Sequence, residues 1–182
     1  RPDRPLPAKG GNSAERRFQT LRTGGQSRMQ TFVQLSSSSC SRLSAAIAAA
    51  AITPRDIVLE PSAGTGLLAI LAEISGGSLL LNELAETRAD LLAALFPGVS
   101  VTRVDAVQID DHLTANAIPS VIVMNPPFSV MANVSGRVAD AAYRHVASAL
   151  ARLADGGRLV TITGANFGSE QPAWRDAFVR LQ

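Results

Sequence analysis

One cysteine, Cys40, is all that this chain of 182 residues contains. A single thiol closes no internal disulfide, so nothing covalent staples the fold and a reducing compartment suits it. Neither His112 nor His145 forms a recognisable motif with Cys40, so the thiol reads as a plain one. Aromatic residues make up only 4%, which leaves Leu, Val, Ile and Ala to build the core. Long apolar runs are also missing. The stretch from Ala45 to Ile52 is far shorter than the roughly 20 residues a membrane helix needs, and no basic start with a cleavage site precedes it. A cytoplasmic, soluble protein with no membrane partner is the expectation.

The charge is small in total and uneven in placement. The net value is +2, yet residues 1–30 hold seven Lys or Arg against Asp3 and Glu15, while the remainder holds ten against thirteen acids. The excess of positive charge therefore belongs to a Pro-, Gly- and Arg-rich segment, 1–30, which reads as a flexible basic arm. Such an arm can follow a nucleic-acid backbone or serve as a linker. Residues 31–182 are enough for one domain with its own core.

Within that domain strand and helix patterns alternate, which predicts an α/β fold. Asp56 to Glu60, Ser78 to Glu83, Val99 to Asp105, Val121 to Met124 and Arg158 to Thr163 read as buried strands. Arg42 to Ala51, Leu67 to Ile74, Glu86 to Leu95 and Ala139 to Leu153 carry apolar residues at helical spacing. Ser129 to Arg137 reads as a polar loop, Ser36 to Ser39 as a turn or helix cap, and Tyr143 and His145 as packing or surface residues.

Two motifs carry chemistry. In Glu60-Pro-Ser-Ala-Gly-Thr-Gly66, a strand tip runs into a turn whose Gly64 and Gly66 permit a close backbone approach to a ligand. It is neither the Gly-x-Gly-x-x-Gly of dinucleotide binders nor a P-loop. An acid at the strand tip repels phosphate but accepts from an ammonium group. S-adenosylmethionine has such a group and no phosphate, so it is the cofactor expected. Glu83 and Asp105 end the next two strand candidates, where a carboxylate can take ribose hydroxyls or an adenine amino group, although an acid there also serves as a helix cap. Asn125-Pro-Pro-Phe128 follows the fourth strand. Its prolines lack N–H donors, so the carbonyls around Asn125 can accept from an exocyclic amine, and Phe128 can stack on the planar group bearing it. Accepting both amine protons frees the nitrogen lone pair for attack on a methyl sulfonium. Positioning does most of the work and no metal is expected.

The pair of motifs resembles the class I S-adenosylmethionine-dependent amino methyltransferases, especially the adenine DNA methyltransferases. A closer resemblance covers about residues 29 to 182. Gln30-Thr-Phe, Ile57 to Leu68, Asn82-Glu-Leu84 with Arg88, Asn125-Pro-Pro-Phe-Ser129, Gly156-Gly-Arg-Leu-Val160 and Trp174-Arg-Asp-Ala-Phe178 are similar to the methylase portion of bacterial strawberry notch-like methylase/helicase proteins. The resemblance implies a doubly wound, Rossmann-like methyltransferase sheet acting on adenine in DNA, with a helicase region of the same longer chain as partner. It implies Glu60, Ala63, Gly64 and Gly66 around the methionine part of the cofactor, Glu83 on the ribose and Asp105 on the adenine. Asn125, Pro126, Pro127 and Phe128 would face the target. One departure is that Phe32-Val-Gln-Leu-Ser-Ser-Ser-Ser-Cys40 stands where the family has Phe-Ser/Thr-Thr-Pro. Glutamine-amide transfer to protein, guanine-amino transfer to ribosomal RNA and a non-catalytic nucleic-acid-binding module remain alternatives. Because two further strands normally follow the fifth, the domain is expected to be incomplete at its C-terminus.

Overall fold

The structure, a computed structural model, describes residues 20–23, 26–31, 39–126 and 135–162, with side chains described at 43–126 and 142–162. In chain order the elements are β1 (Thr20–Thr23), β2 (Gln26–Thr31), α1 (Ser39–Ala50), β3 (Ile57–Glu60), α2 (Leu67–Ile74), β4 (Ser78–Asn82), α3 (Glu86–Leu95) and β5 (Val101–Thr102). A 3-10 turn at Ala106–Gln108 leads into α4 (Ile109–His112), followed by β6 (Val121–Met124), α5 (Ser135–Ala151) and β7 (Arg158–Thr161).

The strands β3 to β7 form one parallel sheet in the order β5-β4-β3-β6-β7. Parallel strands covered on both faces read as continuous apolar runs, and all four residues of β6 are buried. Side chains alternate between the faces. Val58, Val121, Val123 and Val160 meet Ala46 and Ala50 of α1 and Leu68 and Ala72 of α2. Leu92 and Phe96, on and just after α3, cover Leu81. On the opposite face Leu59, Ile122, Met124 and Leu159 pack against Ala142, Val146, Ala149 and Leu150 of α5. The crossovers after β3 and β4 thus lie on one face and those after β5 and β6 on the other. The winding reverses between β3 and β6, where a crevice opens at the carboxyl ends of the strands.

The amino ends are pinned together by Asp56. It accepts from Thr53 N and Oγ1, from Ser120 Oγ at 2.7 Å and from Arg158 Nη2 at 2.9 Å. Arg158 Nε reaches on to the Ala50 carbonyl at the end of α1. Burial opposes the Asp56 charge, but the Ser120, Thr53 and Arg158 contacts outweigh it and hold the carboxyl below its ordinary range.

The hairpin β1–β2 forms a separate antiparallel pair, and β2 runs near β7 without joining its ladder. Both strands fall in or beside the segment read from sequence as an arm. Two elements differ from their sequence-based bounds. The strand expected over Val99 to Asp105 is confined to Val101–Thr102, because the Asn82 side chain takes the N–H and carbonyl of Val104 out of the ladder. The loop expected to Arg137 gives way to helix at Ser135, while 129–134 lie outside the described residues. The short α4, anchored by fully buried Ile109, escapes a periodicity reading because one turn shows no period.

Candidate active site

The four strand ends on β3, β4, β5 and β6 converge on the crevice. β3 ends in Glu60, and the turn beyond it passes Gly64 at φ 57° and Gly66 at φ 85°, a backbone region that side chains disfavour. The two glycines serve different needs. A Cβ on Gly64 would meet nothing within 4 Å, whereas one on Gly66 would stand 2.9 Å from Leu92 Cδ2 and 3.1 Å from Phe96 Cε2. Gly64 therefore leaves open space at the crevice, and Gly66 lets the α3 side chains approach.

Asn82, buried at the end of β4, spends every hydrogen-bonding position. Its Nδ2 donates to the carbonyls of Pro61 and Val104, and its Oδ1 accepts from Thr102 Oγ1 and Val104 N. One amide thus ties together the carboxyl ends of β3, β4 and β5. Glu83 follows it, with 4% exposure. Its Oε2 accepts from Gly64 N at 2.9 Å, and its Oε1 accepts from Ala85 N at 2.8 Å and Arg88 Nη2 at 2.7 Å. One acceptor position stays open on Oε2; a second becomes available only when Arg88, half exposed, releases Oε1. Burial opposes the charge here too, yet Arg88 and the Ala85 and Gly64 N–H groups outweigh it and keep the carboxyl below the usual range. Asp105, exposed, caps the 3-10 turn by accepting from Val107 N at 3.0 Å.

Two cavities occupy the crevice. One, of about 370 Å³, is lined by Glu60, Ala63, Thr65, Leu67 and neighbours; the other, of about 290 Å³, by Asn82, Glu83, Leu84, Arg88, Asp105 and His145 among others. Ser62, Gly64 and Asn125 border both. Asn125, exposed, follows directly on Met124 at the end of β6. Pro126 is buried, and Pro127 and Phe128 lie outside the described residues. Of the residues singled out from sequence, Glu60, Ala63, Gly64, Glu83, Asp105 and Asn125 line these cavities, while Gly66 and Pro126 line neither.

The acids are not alike. Glu60 is 3% exposed, and its Oε2 has no partner among the described residues. Burial pushes its carboxyl well above the ordinary value, the negative Glu83 adds to that, and only the Ala69 N–H opposes it. The site thus combines one under-partnered acid whose carboxyl burial raises with one whose donors hold its carboxyl below the usual range. His145 was expected to be a packing or surface residue, but it lines the second cavity from α5. Burial holds it below the ordinary histidine value, against the pull of Asp105. Nothing in the sequence marks it beyond helical spacing from Ala142. Asn82 left a faint signal, a polar residue closing the apolar run of β4. Among the described residues no cluster of three or more His, Cys, Asp or Glu is placed to hold a metal ion, and no helix is long and apolar enough to cross a membrane.

No protein-family model matches the chain, and no curated protein matches it significantly. Solved structures do. TrmN from Thermus thermophilus shares 22% identity at a TM-score of 0.54 over 76% of this chain and 40% of its own. A TehB-like SAM-dependent methyltransferase from Corynebacterium glutamicum shares 21% at 0.55, over 76% and 71%. A SAM-dependent O-methyltransferase from Thermotoga maritima shares 12% at 0.54, over 78% and 48%. The chain therefore spans less than half the length of the Thermus and Thermotoga proteins. At these identities the likeness is one of fold: the chain carries the α/β, Rossmann-like sheet of these methyltransferases.

Proposed function

We propose that the crevice binds S-adenosylmethionine and directs its methyl group to an exocyclic amino nitrogen, that of adenine in DNA. The observation that carries this reading is the pair of adjoining cavities joined along Ser62, Gly64 and Asn125. One contains a buried acid with one carboxyl oxygen unpartnered among the described residues, and the other a strand-tip acid and a cap acid. The donor set fits the cofactor. The orphaned Glu60 oxygen suits a cation better than a phosphate, and the open side of Gly64 leaves room for a ligand against the backbone. The S-adenosylmethionine dependence printed for the Corynebacterium and Thermotoga neighbours supports the same cofactor.

In this reading Glu60 accepts from the ammonium group, Glu83 takes a ribose hydroxyl on its open Oε2 position, and Asp105 accepts from the adenine amino group. When bound, S-adenosylmethionine supplies an electrophilic methyl group on a sulfonium. The chain's own task is then placement. Asn125, at the rim shared by both cavities, accepts from the target amine and draws its nitrogen toward tetrahedral geometry, exposing the lone pair. Pro126 and Pro127 carry no N–H to compete for the same acceptor positions. Phe128 stacks on the target base. A basic segment at 1–30 follows the DNA backbone, and a helicase region of a longer chain is the natural partner. Transfer of labelled methyl from S-adenosylmethionine to DNA, RNA and protein, compared in parallel, tests the reading. Label in adenine of DNA supports it; label confined to glutamine or guanine would reassign the target, and binding of cofactor without transfer would favour a non-catalytic module.

A further inference from the structure

We infer that His145 is a specificity-determining residue that reads the ring edge of the cofactor's adenine, donating from Nε2 to a ring nitrogen while Asp105 accepts from the adjacent amino group. This rests on the proposed cofactor and goes beyond the residues that either motif contains.

The placement comes from packing. α5 lies against the 3-10 turn that follows β5, and Asp105 is the residue that caps that turn. Ala142 and Val146, buried on α5, fix the helix against the sheet, and His145 between them faces the same 290 Å³ cavity as Asp105. Two groups far apart in sequence thus line one cavity.

Their hydrogen-bonding states follow. His145 Nδ1 is sealed from solvent and has no partner among the described residues. An unpartnered lone pair is tolerated better than an unpartnered N–H, so the neutral ring keeps its proton on Nε2, the nitrogen left to meet a ligand. Burial favours that neutral ring. Asp105 Oδ1 is occupied by Val107 N, leaving Oδ2 as the acceptor. The cavity therefore offers an acceptor and a donor from two elements packed against each other. Adenine presents the complement, an amino donor beside a ring-nitrogen acceptor. Hypoxanthine presents the reverse, a carbonyl beside a ring N–H, and would set like against like at both positions. A ligand that covers both groups leaves them unpaired when it mismatches, so the analogue is disfavoured.

The test is equilibrium binding of S-adenosylhomocysteine and S-inosylhomocysteine to the chain and to two variants, with thermal unfolding as a control for folding. The unaltered chain should prefer the adenosyl ligand by roughly ten-fold or more. His145→Phe, which keeps bulk but has no donor, should lose most of that preference, and His145→Gln, which keeps an amide N–H, should retain much of it. A His145→Phe protein with an unchanged adenosyl-to-inosyl ratio overturns the inference and leaves the cofactor reading standing. Absence of binding by the unaltered chain overturns both. A measurement needing no variant decides the case if His145→Phe does not fold: the 15N resonance of His145 Nε2 should shift when S-adenosylhomocysteine is added, and an unmoved resonance at saturation overturns the inference.

Discussion

Replacing Glu83 should weaken the fold as well as the binding of a ligand. The resemblance implied a ribose contact for Glu83, a role whose loss would leave folding untouched. In the structure its carboxylate joins the Gly64 turn, the start of α3 at Ala85, and Arg88. Each hydrogen bond to a charged group contributes about 1.5–3 kcal/mol, and bonds that share one carboxylate do not add. Arg88 is half exposed, so its part lies near the about 0–1 kcal/mol of a surface pair. Both backbone bonds are only part-buried, so water replaces part of what the Ala85 and Gly64 N–H groups lose. Glu83→Ala should therefore lower the unfolding free energy by about 2–4 kcal/mol at pH 7, and Glu83→Gln, which keeps shape and one acceptor, by about 1–2 kcal/mol. The pH dependence has a definite sign. The folded carboxyl titrates below the unfolded one, so its contribution is present above the ordinary glutamate value and is lost as pH falls through the folded value. Urea unfolding of parent and variant at pH 7 and again in the acid range measures both effects. An unfolding free energy for Glu83→Ala within about 0.5 kcal/mol of the parent at pH 7, or a gap that stays constant into strong acid, would show that the Glu83 carboxylate does not brace the fold.

Other substitutions separate folding from function. Asn125→Ala, exposed at the cavity rim, should lower methyl-transfer turnover by roughly 100-fold or more with cofactor affinity within a factor of about two; transfer kinetics with a parallel binding titration check it. Glu60→Gln removes an acid whose carboxyl sits well above its ordinary value in the fold. The parent's relative stability falls as pH rises from the unfolded value toward the folded one, so the variant should gain on the parent over that same interval while binding a cationic cofactor more weakly. Unfolding curves at several pH values, together with calorimetry, give both readouts. Asn82→Ala should cost about 2–4 kcal/mol by leaving buried carbonyls and a backbone N–H without partners, seen as a lowered denaturation midpoint. Gly66→Ala should cost about 1–3 kcal/mol, since a Cβ at φ 85° is strained and meets Leu92.

Much of the fold was legible because its signals are local. α2 and α3, eight and ten residues long, match the bounds read from sequence, and Val121–Met124 is a run of apolar residues that suits a buried strand. The strand at Val101 was overextended because its end is set by Asn82, a side chain from a different strand. Glu60, Glu83 and Asp105 could be singled out as strand-tip acids, since position and residue type together suggest a role. That Asp105 caps a turn, that Glu83 is already tied to three donors, and that burial raises the Glu60 carboxyl all depend on tertiary neighbours. His145 illustrates the limit most clearly. Only the packing of α5 against the turn after β5 brings it to the cavity, and a lone histidine on a helix gives no sign of that.

The acid-lined crevice at the winding reversal is proposed to hold a cationic, phosphate-free nucleoside. Titration calorimetry of the chain with S-adenosylmethionine, alongside ATP and NAD at equal concentration, addresses it most directly. Saturable binding of one S-adenosylmethionine per chain, weakened in Glu83→Gln and not matched by ATP or NAD, is the predicted result. No binding of S-adenosylmethionine, or tighter binding of either phosphate-bearing ligand, would overturn that assignment of the crevice.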